Sequence, residues 1–222
     1  MTRAGYAPAA PTEWQQPGGH LPVGPYPGFY RMTTWPHPGR VQHRLEALRL
    51  RERIPRPIET AMCDVVSGKR PWPLVLCGGP GVGKTCASLY LADRCRGLAR
   101  YTTFGALTET VRRAKCGELW DEGSHAETRL YPEDVWERWQ RATLAVLDEL
   151  GVRGDPSEFA REVLTEAIDR RFCRPLVVAS NLDLDRLAGL YDDRVASRLA
   201  AGTVVNLYNV PDQRQRQMEF PA

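Results

Sequence analysis

Four apolar residues, Leu74-Val75-Leu76-Cys77, run directly into Gly78-Gly79-Pro80-Gly81-Val82-Gly83-Lys84-Thr85, and helical spacing starts at Lys84. This junction narrows the possible folds more than any other part of the chain. The apolar run is too short for a helix and stops at glycines, so it reads as a buried strand. The glycine string fits G-x-x-x-x-G-K-[ST], and it lies where that pattern has physical meaning, between a strand and a helix. Glycines there let successive backbone N–H groups turn inward around phosphate oxygens, and the helix N-terminus adds its partial positive charge. Lys84 places a cation against β- and γ-phosphates, and Thr85 offers its hydroxyl to Mg²⁺. Residues Gly78 to Thr85, with Cys86 beside them, are therefore expected to hold ATP and magnesium.

From Trp72 onward, strand and helix signals alternate. Helical spacing continues from Lys84 to Arg96 through Leu89 and Leu91. A strand is expected over Arg100 to Phe104 and a helix over Leu107 to Lys115. Val135 to Arg141 reads as a helix whose Trp136 and Trp139 pack inward. Leu144-Ala145-Val146-Leu147 is the third strand, followed by a helix from Pro156 to Phe172 and a fourth strand, Leu176-Val177-Val178-Ala179. Helices over Leu184 to Leu190 and Asp193 to Ala200 precede a fifth strand, Thr203 to Leu207. Such alternation implies an α/β fold with a five-stranded parallel sheet flanked by helices.

Asp148-Glu149 follows the third strand and sets two carboxylates at the carboxyl edge of the sheet, where open α/β folds bind ligands. Asp148 suits the holding of Mg²⁺ through water, and Glu149 suits the polarising of an attacking water. Acidic pairs also begin ordinary solvated loops; the phosphate-binding loop upstream gives this pair its meaning. Asn181 follows the fourth strand. If that strand inserts between the first and third, Asn181 lies between Lys84 and Glu149, and its amide orients water and γ-phosphate. Capping of the next helix is the plainer role for an asparagine there. Arg194 and Arg198 stand four apart on one helix face. An arginine presented to the ATP of a neighbouring subunit neutralises transition-state charge, whereas an ordinary surface arginine only solvates its helix.

Outside the alternating region, composition sets the limits. Residues 1–40 hold eight of the 18 prolines and six of the 19 glycines against one acidic residue, Glu13. So little apolar surface does not offset the entropy of ordering, so an extended or disordered tail is expected. Residues 41–71 read as a helical linker or docking element. Its helix spans Arg40 to Arg53, with Val41, Leu45 and Leu48 on one face and six arginines between Arg40 and Arg56. Residues 72–222 then form the nucleotide-binding domain. Six cysteines without a Cys-x-x-Cys spacing suit reduced thiols in a cytoplasm. No apolar stretch approaches the roughly 20 residues of a membrane span, and the N-terminus lacks the layout of a secretory signal. A cytoplasmic location without membrane contact is expected. The net charge of +3 is too small to demand a nucleic-acid partner by itself.

Taken in order, four segments resemble the AAA+ ATPases of the DnaC/DnaI/IstB group. They are Gly78 to Thr85, Leu147-Asp148-Glu149-Leu150-Gly151-Val152, Ala179-Ser180-Asn181-Leu182 and Asp193-Arg194-Val195-Ala196-Ser197-Arg198-Leu199. The group comprises bacterial and phage replicative-helicase loaders and related transposition helper ATPases. Softer matches are Ile168-Asp169-Arg170-Arg171 and the arginine-bearing tail near Glu219-Phe220. The resemblance covers about Trp72 to the C-terminus. It implies an AAA+ sheet with the sensor strand between the P-loop and Asp-Glu strands, Asn181 as the sensor, and Arg198 as an arginine finger acting in trans with support from Arg194. Two departures stand out. About fifteen residues follow the fifth strand, leaving no room for a C-terminal helical lid, and residues 1–40 do not read as a folded helicase-binding domain. The implied function is ATP hydrolysis coupled to loading a replicative helicase onto single-stranded DNA. A transposition-type helper on duplex DNA is the alternative. A P-loop kinase is the weaker one, since it leaves Ser180-Asn181 and Arg198 unexplained.

Overall fold

A computed structural model describes residues 33–34, 53–95, 97–121, 128–152 and 154–213. The helix expected over Arg40 to Arg53 and most of the proline-rich segment lie outside the described residues. From residues 1–40 it describes Thr33–Thr34, which forms a two-residue strand, β1. The elements that follow are α1 (Arg56–Val66), β2 (Leu74–Cys77), α2 (Lys84–Arg94), β3 (Ala99–Thr103), α3 (Phe104–Lys115), α4 (Pro132–Arg141), β4 (Leu144–Leu150), α5 (Glu158–Asp169), β5 (Leu176–Ser180), α6 (Leu184–Leu190), α7 (Asp193–Ala200) and β6 (Thr203–Asn206).

All strands run parallel in the order β1-β3-β4-β5-β2-β6. The five expected strands make the body of the sheet, and β1 adds a short edge beside β3. Alternation along each strand divides the core into two layers. Leu74, Leu76, Leu144, Val146 and Val177 face α1 and α2, whereas Val75, Cys77, Ala145, Leu147 and Val178 face α3, α5 and α7. Trp136 and Trp139 are buried in the second layer, as their spacing predicts, and Trp139 Nε1 donates to the Ala167 carbonyl at 3.0 Å.

Helix α1 was not anticipated. It starts after Pro55 and carries Pro57 in its first turn, where a missing N–H costs nothing. Ile58, Ala61, Met62 and Val65 make a buried stripe that closes the first layer, so the core already begins inside the stretch read as a linker. Prolines and arginines around the helix mask this 3.6-residue period in the sequence. On the other layer, Arg171 is buried and donates to the carbonyls of Gln140 at 3.1 Å, Ala142 at 2.7 Å and Pro175. Burial lowers its pKa to about 9, and the carbonyls make up for the water it has lost. It ties the turn before β4 to the turn before β5, setting the two strands that carry the acidic pair and Asn181.

Candidate functional site

The loop after β2 turns back tightly before α2. Gly83 adopts φ +94°, and a Cβ there would lie 2.5 Å from the Arg53 carbonyl oxygen, so glycine alone fits. This close approach brings the chain just ahead of α1 against the phosphate loop. Lys84 is the first residue of α2 and is 8% exposed. Its Nζ donates to the carbonyls of Gly78 at 2.6 Å and Gly79 at 2.7 Å, and to Asn181 Oδ1 at 2.9 Å. The ammonium thus lies inside its own loop, and the fourth-strand asparagine holds it there. Insertion of β5 between β4 and β2, the order that the family resemblance implies, makes this contact possible.

Asp148 ends the buried run of β4 and is 2% exposed. Its Oδ2 accepts the Thr85 hydroxyl at 2.8 Å and the Tyr101 hydroxyl at 2.8 Å, and its Oδ1 accepts the Glu149 backbone N–H at 2.8 Å. The strand does not stop at the acidic pair, as expected, but continues to Leu150 through a β-bulge. Leu147 pairs with Val178 and Leu150 with Ser180, so β4 spends one more residue than β5 over this interval. Glu149 occupies the bulge with φ +60°, a conformation uncommon for a residue with a side chain. The bulge lets two adjacent carboxylates take different environments, Asp148 buried and Glu149 exposed. Buried Ser180 secures it by donating to the Leu150 carbonyl at 2.9 Å while accepting from the Leu182 N–H at 2.9 Å.

These groups open onto a cleft of about 250 Å³. Pro80, Gly81, Val82, Gly83, Lys84, Thr85, Cys86, Asp148, Glu149 and Asn181 line it together. Gly78 and Gly79 contribute through the carbonyls that hold Lys84. Four lining residues, Arg53, Val152, Ala179 and Gln213, were not anticipated. Gln213 arrives because the chain after β6 folds back: Leu207 N–H donates to Cys77 O at 2.7 Å and Gln213 N–H to Gly81 O at 3.0 Å. Among the described residues no helix follows β6. Burial pushes the Cys77 thiol beneath the loop up to about 11, with the Asp183 charge adding to the shift, which keeps it protonated.

Arg194 and Arg198 lie elsewhere. Helix α7 packs on α5, and both guanidiniums reach Asp169 at the end of that helix. Arg194 Nη2 is 3.0 Å from Asp169 Oδ2, and Arg198 pairs with Asp169 Oδ1. The Arg198 guanidinium also lies over the Phe172 ring, 5.9 Å from its centroid. Neither arginine lines the cleft of its own chain.

The donor set near Asp148 suits a small hard cation. The Thr85 hydroxyl and the Asp148 carboxylate are oxygen ligands in mutual contact beside the phosphate loop. Among the described residues no group of three or more His, Cys, Asp or Glu could hold an ion unaided. Magnesium is usually bound by one or two protein groups together with phosphate oxygens. Also among the described residues, no helix is long and apolar enough to cross a membrane.

No protein-family model matches the chain, nor does any curated protein sequence. Solved structures do. AMPPCP-bound DnaA from Aquifex aeolicus matches over 67% of this chain and 45% of that chain, at 17% identity and a TM-score of 0.51. Domain III of the Thermotoga maritima replication initiation protein DnaA matches over 67% of this chain and 60% of that one, at 19% identity and a TM-score of 0.51. A DnaI structure overlaps 77% of this chain and 84% of its own, at 18% identity and a TM-score of 0.48. The chain spans less than two thirds of the length of each of these two DnaA structures. At such identities the likeness concerns the backbone alone. With its glycine loop between β2 and α2, and β5 inserted between β2 and β4, the chain has the AAA+ type of P-loop fold.

Proposed function

We propose that this chain is a magnesium-dependent ATPase of DNA replication that assembles with copies of itself and loads a replicative hexameric helicase onto single-stranded DNA. The position of the Lys84 ammonium carries the reading. Three oxygens, the carbonyls of Gly78 and Gly79 and Asn181 Oδ1, hold it inside a glycine loop that runs on to the Thr85–Asp148 pair. A triphosphate entering the cleft offers the ammonium stronger, charged acceptors than two carbonyls and an amide. Thr85 and Asp148 would hold the magnesium that comes with it, which would supply positive charge against the phosphate oxygens. Glu149, exposed on its bulge, takes a proton from the attacking water, and Asn181 orients that water against the γ-phosphate. Arg198 neutralises the charge that develops on a neighbour's γ-phosphate. The ordered motifs that resemble helicase loaders, and a fold shared with AMPPCP-bound DnaA, support the replication setting.

One equilibrium experiment tests the reading at both levels. Wild type should bind a fluorescent ATP analogue and, with a non-hydrolysable analogue present, single-stranded DNA of arbitrary sequence. The DNA affinity should fall with salt at a log–log slope of roughly −0.7 per phosphate contact. Lys84→Ala should lose most nucleotide affinity and the nucleotide-dependent DNA binding with it. Unchanged nucleotide affinity in the folded variant refutes the site. Normal nucleotide binding without any salt-sensitive DNA binding refutes the DNA-directed role alone.

A further inference from the structure

We infer that Tyr101 is a positioning residue for the metal-binding carboxylate of Asp148. The inference rests on the nucleotide reading above and adds a residue to which no motif points. Tyr101 lies on β3, directly beside β4, and its hydroxyl donates to Asp148 Oδ2 at 2.8 Å. The same oxygen accepts the Thr85 hydroxyl at 2.8 Å, while Oδ1 accepts the Glu149 N–H at 2.8 Å. Donors from α2, β3 and the bulge of β4 thus converge on one buried carboxylate. A carboxylate offers about four lone-pair sites, so three donors leave its plane little freedom to turn. Thr85 is the donor whose oxygen the metal recruits, and the Glu149 N–H belongs to a strained bulge. Tyr101 is anchored in the sheet, and its hydroxyl points its one proton at Asp148.

The phenol is suited to that role. An ordinary phenol ionises at about pH 10, so the hydroxyl is a donor at neutral pH. Its ring packs against the layer that includes α1 and α2, a contact that phenylalanine would keep. Removing the hydroxyl alone therefore frees the Asp148 carboxylate to rotate while the fold stays intact. The cost should appear only where that carboxylate must meet a metal.

The test compares wild type, Tyr101→Phe and Lys84→Ala in binding a fluorescent ATP analogue, first in EDTA and then across a magnesium titration. Tyr101→Phe should match wild type in EDTA to within about twofold. Its half-saturating magnesium concentration should rise by about tenfold, as for other residues that orient a metal ligand. Lys84→Ala should lose binding in both media. An unchanged magnesium midpoint in Tyr101→Phe overturns the inference and leaves the nucleotide site standing. Equal weakening with and without magnesium also overturns it, by assigning the hydroxyl a purely structural role. Loss of nucleotide binding in no variant, or no magnesium effect in wild type, overturns the site reading itself.

Discussion

The cleft and helix α7 hold their charges in opposite ways. At the cleft, Lys84 is bonded to Asn181, and Asp148 to Thr85 and Tyr101, so each side chain stands in position before any ligand arrives. On α7, Arg194 and Arg198 are bonded away from that cleft, to Asp169 of α5 and over Phe172. One region is pre-organised toward a ligand. The other is pre-organised toward its own scaffold, with two cations sharing one carboxylate. Neither α7 arginine lines the cleft of its own chain, so under the proposed function it is a neighbouring subunit's Arg198 that acts on the γ-phosphoryl group. The difference separates binding from turnover, and three changes test that separation.

The largest effect is expected from Arg198→Ala. Nucleotide affinity of the isolated subunit should stay within about twofold of wild type, while turnover falls by about 10³ or more. ATPase assays over a range of protein concentrations check this. Mixing the variant with Lys84→Ala protein should restore activity, because one kind of mixed interface joins an intact loop to an intact Arg198. A wild-type rate in the Arg198→Ala protein would make α7 an ordinary surface and abolish the contrast.

Glu149→Gln sharpens the comparison from the side of the cleft. The amide cannot accept a proton from water, so turnover should fall by about 10²–10⁴ while ATP remains bound. Single-turnover hydrolysis with nucleotide retention measured alongside reads both quantities. Normal hydrolysis would remove Glu149 as the base and leave the bulge without a chemical purpose.

The smallest effect belongs to Asp169→Asn. If Arg198 must leave Asp169 to reach a neighbour, weakening the pair should lower the protein concentration that gives half-maximal ATPase rate. Partly exposed ion pairs are worth about 0.2–1 kcal/mol, so the shift should be at most about fivefold. A shift to higher concentration would show instead that Asp169 holds the arginine in its working pose.

Much of the site was legible in the sequence because its chemistry is concentrated in contiguous strings. The glycines, Lys84 and Thr85 act through a local loop whose geometry is set by neighbouring residues, so spacing alone located them. Asp148-Glu149 and Asn181 were readable because each follows an apolar run that ends at the same sheet edge. Tyr101, Arg53 and Gln213 were not. Arg53 and Gln213 reach the cleft, and Tyr101 reaches Asp148, through contacts with no local signature: the approach of Arg53 to Gly83, the return of the chain after β6, and the register of β3 against β4. Helix α1 carried a clear periodicity in Ile58, Ala61, Met62 and Val65, and was obscured by the prolines and arginines around it.

The sequence by itself determined the alternation of strand and helix, the phosphate loop and the residue types at each strand end, because these depend on local sterics and on the period of burial. It did not determine where those ends meet. The bulge that turns Glu149 outward while Asp148 stays buried, the three donors on one carboxylate, and the pairing of both arginines with Asp169 were decided by tertiary structure. Strand order and register bring together residues distant in the chain, as when Lys84 meets Asn181, and a one-residue shift in pairing redirects every side chain beyond it.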